Sequence, residues 1–336
     1  MSDLFARGRE AEEAGDDERA EPLFREVAEQ GDAHAALHLG FLLVRRGDGA
    51  GAEPWLRRAA EAGEPDAARV LAELLQAREA DPDEVERWLT VAAEGGDGLA
   101  AFHLGYRAVH RHDDLAAAER WYRLALERDA GDLVPNNLAG VLRGRGRHDE
   151  AEEVFRLGVE RGDALAMLNL AHMLDGQDRD EEAEELYRRA AEAGSSHAAE
   201  QLARILFDRD ERDEAERWFR AAADESAAAA GCVGALLAAR GRDGAAEAWY
   251  ERGAEGGDVY AMTAWGIVLG NRGEEERAEA LWRRAADGGD ADAARCLGLL
   301  YEDRDRAAAI GWYRRAAEGG NEEAAQRLRE LGARRR

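Results

Sequence analysis

The chain contains no lysine: apart from eight histidines, every basic side chain is an arginine. Cysteine occurs only at Cys232 and Cys296, so no disulfide framework can hold the fold together. Five prolines, two threonines and four serines leave little material for strands, while alanine, leucine, arginine and glutamate abound. No apolar run approaches the ~18 residues that a membrane-spanning helix needs. The opening MSDLFARGREAEEAGDD has no apolar core of the kind a secretion signal carries, and a reducing cytoplasm is the expected compartment. Basic charge is also in deficit. Against 46 arginines stand 72 acidic residues, a net of −26, which argues against binding a phosphate backbone as the main activity.

What the chain does have is a repeat. Small residues at Gly8, Gly40, Ala72, Gly105, Ala139, Ala171, Ala203, Gly234, Gly266 and Gly298 recur every 31 to 34 positions. A residue ahead of these small positions stands leucine in most registers. Further on, each repeat carries a small–large–small triplet at steps of four and three, as in Ala20–Phe24–Val27 or Ala118–Tyr122–Ala125. The large member is Phe24, Leu56, Leu89, Tyr122, Phe155, Tyr187, Phe219, Tyr250, Trp282 and Tyr313 in turn. Steps of three and four lie on one helical face. Small residues let two helices approach, and the large one fills the groove between them. Helices this short do not hold alone in water, so each pair needs its neighbours.

Turn residues agree. Gly-Asp separates successive pairs at Gly31-Asp32, Gly96-Asp97, Gly162-Asp163, Gly257-Asp258 and Gly289-Asp290, glycine closing one helix and aspartate capping the next. Pro65, Pro82 and Pro135 fall in first turns, whereas Pro22 and Pro54 sit about a turn inside a helix and predict a kink or a late start. Ten pairs are expected, at 1–32, 33–64, 65–97, 98–131, 132–163, 164–195, 196–226, 227–258, 259–290 and 291–320, in one array over 1–332. A closing helix at 321–332 and a basic tail at 333–336 complete it. Arg7, where later repeats have leucine, suits an exposed cap.

The phrases WYRRAAEGGNEEAAQRL (Trp312 to Leu328) and WLRRAAEAGEPDAARVL (Trp55 to Leu71), with Leu-Gly in first helices, resemble tetratricopeptide repeats of the Sel-one-like subtype. The resemblance covers essentially the whole chain; the period is shorter, and the longer inter-helix loop of that subtype is missing. It implies an all-α superhelix, a right-handed solenoid of about ten helix-turn-helix repeats. It also implies a non-enzymatic protein-interaction scaffold without cofactor, whose first helices line a concave wall.

On that wall, repeats four to seven carry His103, Tyr106 and His110, then Asn137 and Arg143, then Asn169 and His172, then Arg204. The set is neutral to basic in an acidic chain. Asparagine and arginine on consecutive helices can grip a peptide backbone or carboxylate, although the same residue types also serve inter-repeat hydrogen bonding. Phe41, Phe102, Phe207 and Tyr260 add apolar contact. A protein or peptide partner is expected, with no nucleic acid and no membrane. The rival readings are a helical-repeat RNA binder and a metal-dependent enzyme. His34 and His38 are spaced as in some zinc sites, yet no third ligand is evident. No serine lies in a Gly-x-Ser-x-Gly setting, and Gly144-Arg145-Gly146 lacks the strand of a phosphate loop. Trp55, Trp88, Trp121, Trp218, Trp249 and Trp312, each just before the large residue, are expected to pack between second helices. Most of the carboxylates are expected on solvated helix faces.

Overall fold

A computed structural model describes residues 2–333. Arg334–Arg336, the arginines of the expected tail, lie outside the described residues. Those described form twenty-one α-helices and no strand. First helices of the pairs are α1 (Ser2–Glu13), α3 (Ala33–Arg45), α5 (Pro65–Ala77), α7 (Gly98–His110), α9 (Leu133–Gly144), α11 (Ala164–Asp175), α13 (Ser196–Asp208), α15 (Ala227–Ala239), α17 (Val259–Asn271) and α19 (Ala291–Tyr301). Second helices are α2 (Asp17–Glu29), α4 (Gly49–Glu61), α6 (Pro82–Glu94), α8 (Leu115–Glu127), α10 (His148–Glu160), α12 (Asp180–Glu192), α14 (Arg212–Ala222), α16 (Asp243–Glu255), α18 (Glu275–Asp287) and α20 (Arg306–Glu318). The last helix is α21 (Glu322–Ala333).

Contacts group the chain into two units, Met1–Asn169 and Leu170–Arg336, with the division inside α11. Within the first unit, consecutive helices from α1 to α10 pack on one another; within the second, those from α12 to α21 do the same. The fold is the all-α solenoid of helix pairs that the repeat predicts. First helices also touch their counterparts one repeat on, α3 with α5, α15 with α17 and α17 with α19.

The two residue series meet as shape and counter-shape. A Cβ placed on Gly105 would lie 2.7 Å from the Tyr122 ring, one on Gly298 2.6 Å from Tyr313, and one on Gly40 2.5 Å from Leu56. Each large side chain is fully enclosed, so the small residue is a seat cut to fit it. The last residue of the triplet faces the next repeat: a Cβ on Gly158 would stand 2.6 Å from the Ala166 Cβ. One helix face thus closes both its own pair and the adjoining one.

The turns follow the predicted chemistry. Asp32 accepts from the Ala35 N–H at 2.8 Å, Asp97 from Ala100 at 2.8 Å and Asp290 from Ala293 at 2.7 Å. The glycine before each of these caps has positive φ, +103° at Gly31, for instance. Inside the pairs, glycine takes this conformation at Gly15, Gly47, Gly146, Gly241 and Gly273, but Glu79 is forced into it at φ 55°. A left-handed side-chain residue costs roughly 1–2 kcal/mol, against about 0.5–1 kcal/mol of backbone entropy for glycine. Glu79→Gly is therefore expected to stabilise the protein by about 0.5–1 kcal/mol, read as a higher urea midpoint at unchanged slope.

One expectation needs correction and a second gains detail. Of the kink or late start expected at Pro22 and Pro54, the late start does not occur; α2 and α4 start at Asp17 and Gly49 and run on through the prolines. Each proline removes only one bond of the helical ladder, close to the N-terminus, and packing of the buried face outweighs that loss. The carboxylates, moreover, are not all solvated. The glutamate after the first small residue of the triplet is drawn into an ion-pair bridge between repeats. Glu53 meets Arg57 at 3.0 Å, one turn on, and Arg78 at 2.6 Å, at the end of the next first helix. Glu21 does so with Arg25 and Arg46, Glu184 with Arg188 and Arg209, and Glu216 with Arg220 and Arg240. Glu119 and Glu216 are buried.

In three of these bridges the arginine one turn on also covers a tryptophan of the next second helix. Arg57 lies 5.6 Å from the Trp88 ring, Arg25 5.8 Å from Trp55 and Arg220 6.0 Å from Trp249. The tryptophans are thus packed between second helices under guanidinium groups.

Candidate functional site

In the first unit, α7 presents His103, Tyr106 and His110 at exposed positions, as their i, i+3, i+7 spacing requires. Tyr106 is 51% exposed, and its ring lies 4.1 Å from that of His110. Beneath it, burial pushes the Tyr122 phenol up to about 12, helped by the neighbouring Tyr106. On α9, Asn137 is half-buried and Arg143 exposed; among the described residues neither side chain has a hydrogen-bond or ion-pair partner. Asn169 of α11 is already engaged, its Nδ2 donating to Asn136 Oδ1 at 2.8 Å. That bond ties two first helices together, and Asn136 is the partner sequence reading passed over.

In the second unit, the exposed His172 ring meets the buried Tyr187, with Oη and Nδ1 2.8 Å apart. Burial, and then Asp175, raises that phenol to about 12. His172 therefore helps to satisfy a core hydroxyl. Arg204 stands mostly in solvent, 3.9 Å from Glu200, on the edge of a cleft of about 430 Å³. Phe207, Phe219, Cys232 and Tyr260 line the same cleft. A second cleft of about 420 Å³ lies between α17 and α19, with Ile267, Trp282, Cys296 and Leu299 in its wall. Sequence reading named Arg204, Phe207 and Tyr260 but not the second cleft. The signal for it is the absence of charge: neither α15 nor α17 has a charged side chain.

The remaining chemistry-bearing residues are held elsewhere. His38 stacks on Phe24 at 5.1 Å with Glu12 beside it, while His34 faces Glu64 at 3.3 Å. Among the described residues no three histidine, cysteine or acidic side chains gather as a metal site. Both thiols are free, and burial raises their pKa, which keeps them protonated. No described helix is long and apolar enough to cross a membrane. What the first-helix faces offer is hydrogen bonding, one exposed guanidinium per unit among the predicted residues, and aromatic surface.

The tetratricopeptide-repeat family model matches residues 136–161, 164–193 and 196–224. No curated protein matches the chain. Among solved structures, the chain is similar to a protective antigen present in uropathogenic Escherichia coli strains that displays an SLR fold. Identity is 28% and the TM-score 0.76, over 93% of this chain and 74% of that one. It is also similar to a Sel1 repeat protein from Oxalobacter formigenes, at 25% identity and a TM-score of 0.63, over 82% of this chain and 90% of that one.

Proposed function

We propose that this chain, a helical-repeat protein similar to tetratricopeptide-type repeat proteins of the Sel1-like kind, is a non-enzymatic scaffold holding a peptide or protein segment against its first helices. Asn137 and Arg143 carry the reading. They are polar side chains on a first-helix face with no hydrogen-bond or ion-pair partner among the described residues, in a fold that pairs most of its arginines. An arginine left open in this way can take a carboxylate or a backbone carbonyl, and an asparagine can pair with a peptide group. His103, Tyr106 and His110 supply an aromatic wall one repeat earlier. Asn169 and His172 contribute to the framework, since their side chains are engaged by Asn136 and Tyr187. Arg204 adds a second exposed cation in the other unit. The partner is caught by crosslinking in the native cell, and its affinity is then measured with purified protein.

Asn137→Ala combined with Arg143→Ala is expected to weaken that affinity about tenfold or more, since two directed hydrogen-bonding groups are lost, with an unchanged helical circular dichroism spectrum. Undiminished affinity would move the contact elsewhere.

A further inference from the structure

We infer that the first-helix surface centred on the uncharged helices α15 and α17, with α13 and α19 at its borders, is a second docking site, one that takes an amphipathic helix with bulky apolar side chains about two turns apart and basic flanks. The inference rests on the scaffold reading but names a surface apart from Asn137 and Arg143, with Arg204 at its edge, and a different ligand chemistry.

The surface is unusual for this chain. Charged residues make up 35% of the sequence, yet α15 and α17 contain none. The apolar side chains there are not all inside. Tyr260 is 52% exposed, Ile267 41% and, on α19, Leu299 51%. Ile267 and Leu299 share the wall of one cleft, and exposed apolar side chains grouped in this way mark an interaction site. Tyr260 borders the first cleft and Ile267 the second, and both stand on α17, seven residues and so two turns apart. Tyr260 and Ile267, one at each cleft, stand roughly 10 Å apart along α17, a spacing that suits two anchors at i and i+7 of a facing helix. The clefts have aromatic floors, Phe219 in one and Trp282 in the other, which favour large side chains over small ones.

Charge selects the flanks. The cations at the clefts are already beside acids, Arg204 at 3.9 Å from Glu200 and Arg295 at 3.5 Å from Glu323. Asp208, which lines the first cleft, has no ion-pair partner among the described residues. With a chain charge of −26 around it, a lysine- or arginine-flanked helix is attracted and an acidic one repelled.

The test uses the full chain and a synthetic helix of leucine and lysine with leucines at i and i+7, its binding followed by fluorescence anisotropy. The leucine–lysine helix is expected to bind, and Ile267→Ser and Tyr260→Ser each to weaken it about tenfold. Serine in place of the peptide's leucines, or glutamate in place of its lysines, is expected to have a similar effect. Circular dichroism confirms that the variants, altered at exposed positions, stay folded. Equal binding by the variants, or by the serine peptide, would overturn the site and leave charge attraction alone. Self-association in the ultracentrifuge that Ile267→Ser abolishes would also overturn it, with a second copy as the occupant. The partner bound through Asn137 and Arg143 serves as the control. Should it still bind while the leucine peptide is ignored, this site fails and the scaffold reading stands. Should the leucine peptide bind while Asn137→Ala with Arg143→Ala changes nothing, the polar site fails instead.

Discussion

Gly105→Leu is expected to destabilise the protein by about 3 kcal/mol, at the upper end of overpacking effects. The first carbon of the new side chain already has no room, since a Cβ at this position falls 2.7 Å from two atoms of the Tyr122 ring. That ring is 2% exposed and closed in by α7 and α8, so it cannot swing out without opening the pair. Either the helices separate or the phenol leaves the core. Gly140→Ala is the matched control. Nothing lies within 4 Å of a Cβ there, and the residue is inside α9. Alanine is the better helix former, so this change should stabilise by about 0.5–1 kcal/mol. Urea unfolding monitored by circular dichroism measures both. Two glycine substitutions of like sign would contradict the seat.

Glu216→Ala is expected to cost about 2 kcal/mol, because it leaves Arg220 and Arg240 near the repeat junction without their shared acid. The full penalty for breaking a buried pair is larger, but both guanidiniums keep partial access to water, which limits it. Stability should also fall in acid. Burial pushes the Glu119 carboxyl up, yet hydrogen bonds from Arg123 and Arg147 outweigh it and hold the group below its ordinary value. Glu21 is lowered chiefly by its hydrogen bond from Arg25, and Glu279 chiefly by that from Tyr301. A carboxyl lowered on folding adds stability that is present above the unfolded value of about 4.3 and is lost as pH falls through the folded value. Melting temperatures should therefore be level near neutrality and drop below about pH 4, with a shallower drop in Glu119→Gln. A flat acid limb would show that the bridges contribute nothing.

Much of this was legible in the chain, for a reason visible at Gly105 and Tyr122. A seat and its occupant must recur in every repeat, so the pattern is written ten times and chance cannot imitate it. The Gly-Asp turns were legible on the same ground, since a positive φ and an N-cap each restrict the residue. The glutamate bridges were not. Glu53 and Glu216 look like any other acid on a charged helix, and their partners Arg78 and Arg240 lie beyond the end of the next first helix. Only the packing of one repeat on another brings them within reach. The prolines misled because a helix with a buried face tolerates one missing hydrogen bond near its start.

The candidate site divides in the same way. Which helix face carries His103, Tyr106 and His110 follows from spacing alone. That Asn169 bonds to Asn136, and His172 to Tyr187, depends on neighbours that the spacing leaves unspecified. The cleft beside Ile267 was hidden for a different reason: in a sequence, an uncharged apolar helix reads as core, and only exposure separates the part that faces water.

A double-mutant cycle on Gly105 and Tyr122 tests the central claim, that small residues exist to seat large ones, most directly. Gly105→Leu, Tyr122→Ala and the combination are unfolded in urea. The space vacated by the phenol should accept the leucine, so the pair should cost less than the sum of the singles by about 1–3 kcal/mol. Strict additivity would mean that the two positions do not share a space, and would contradict the account.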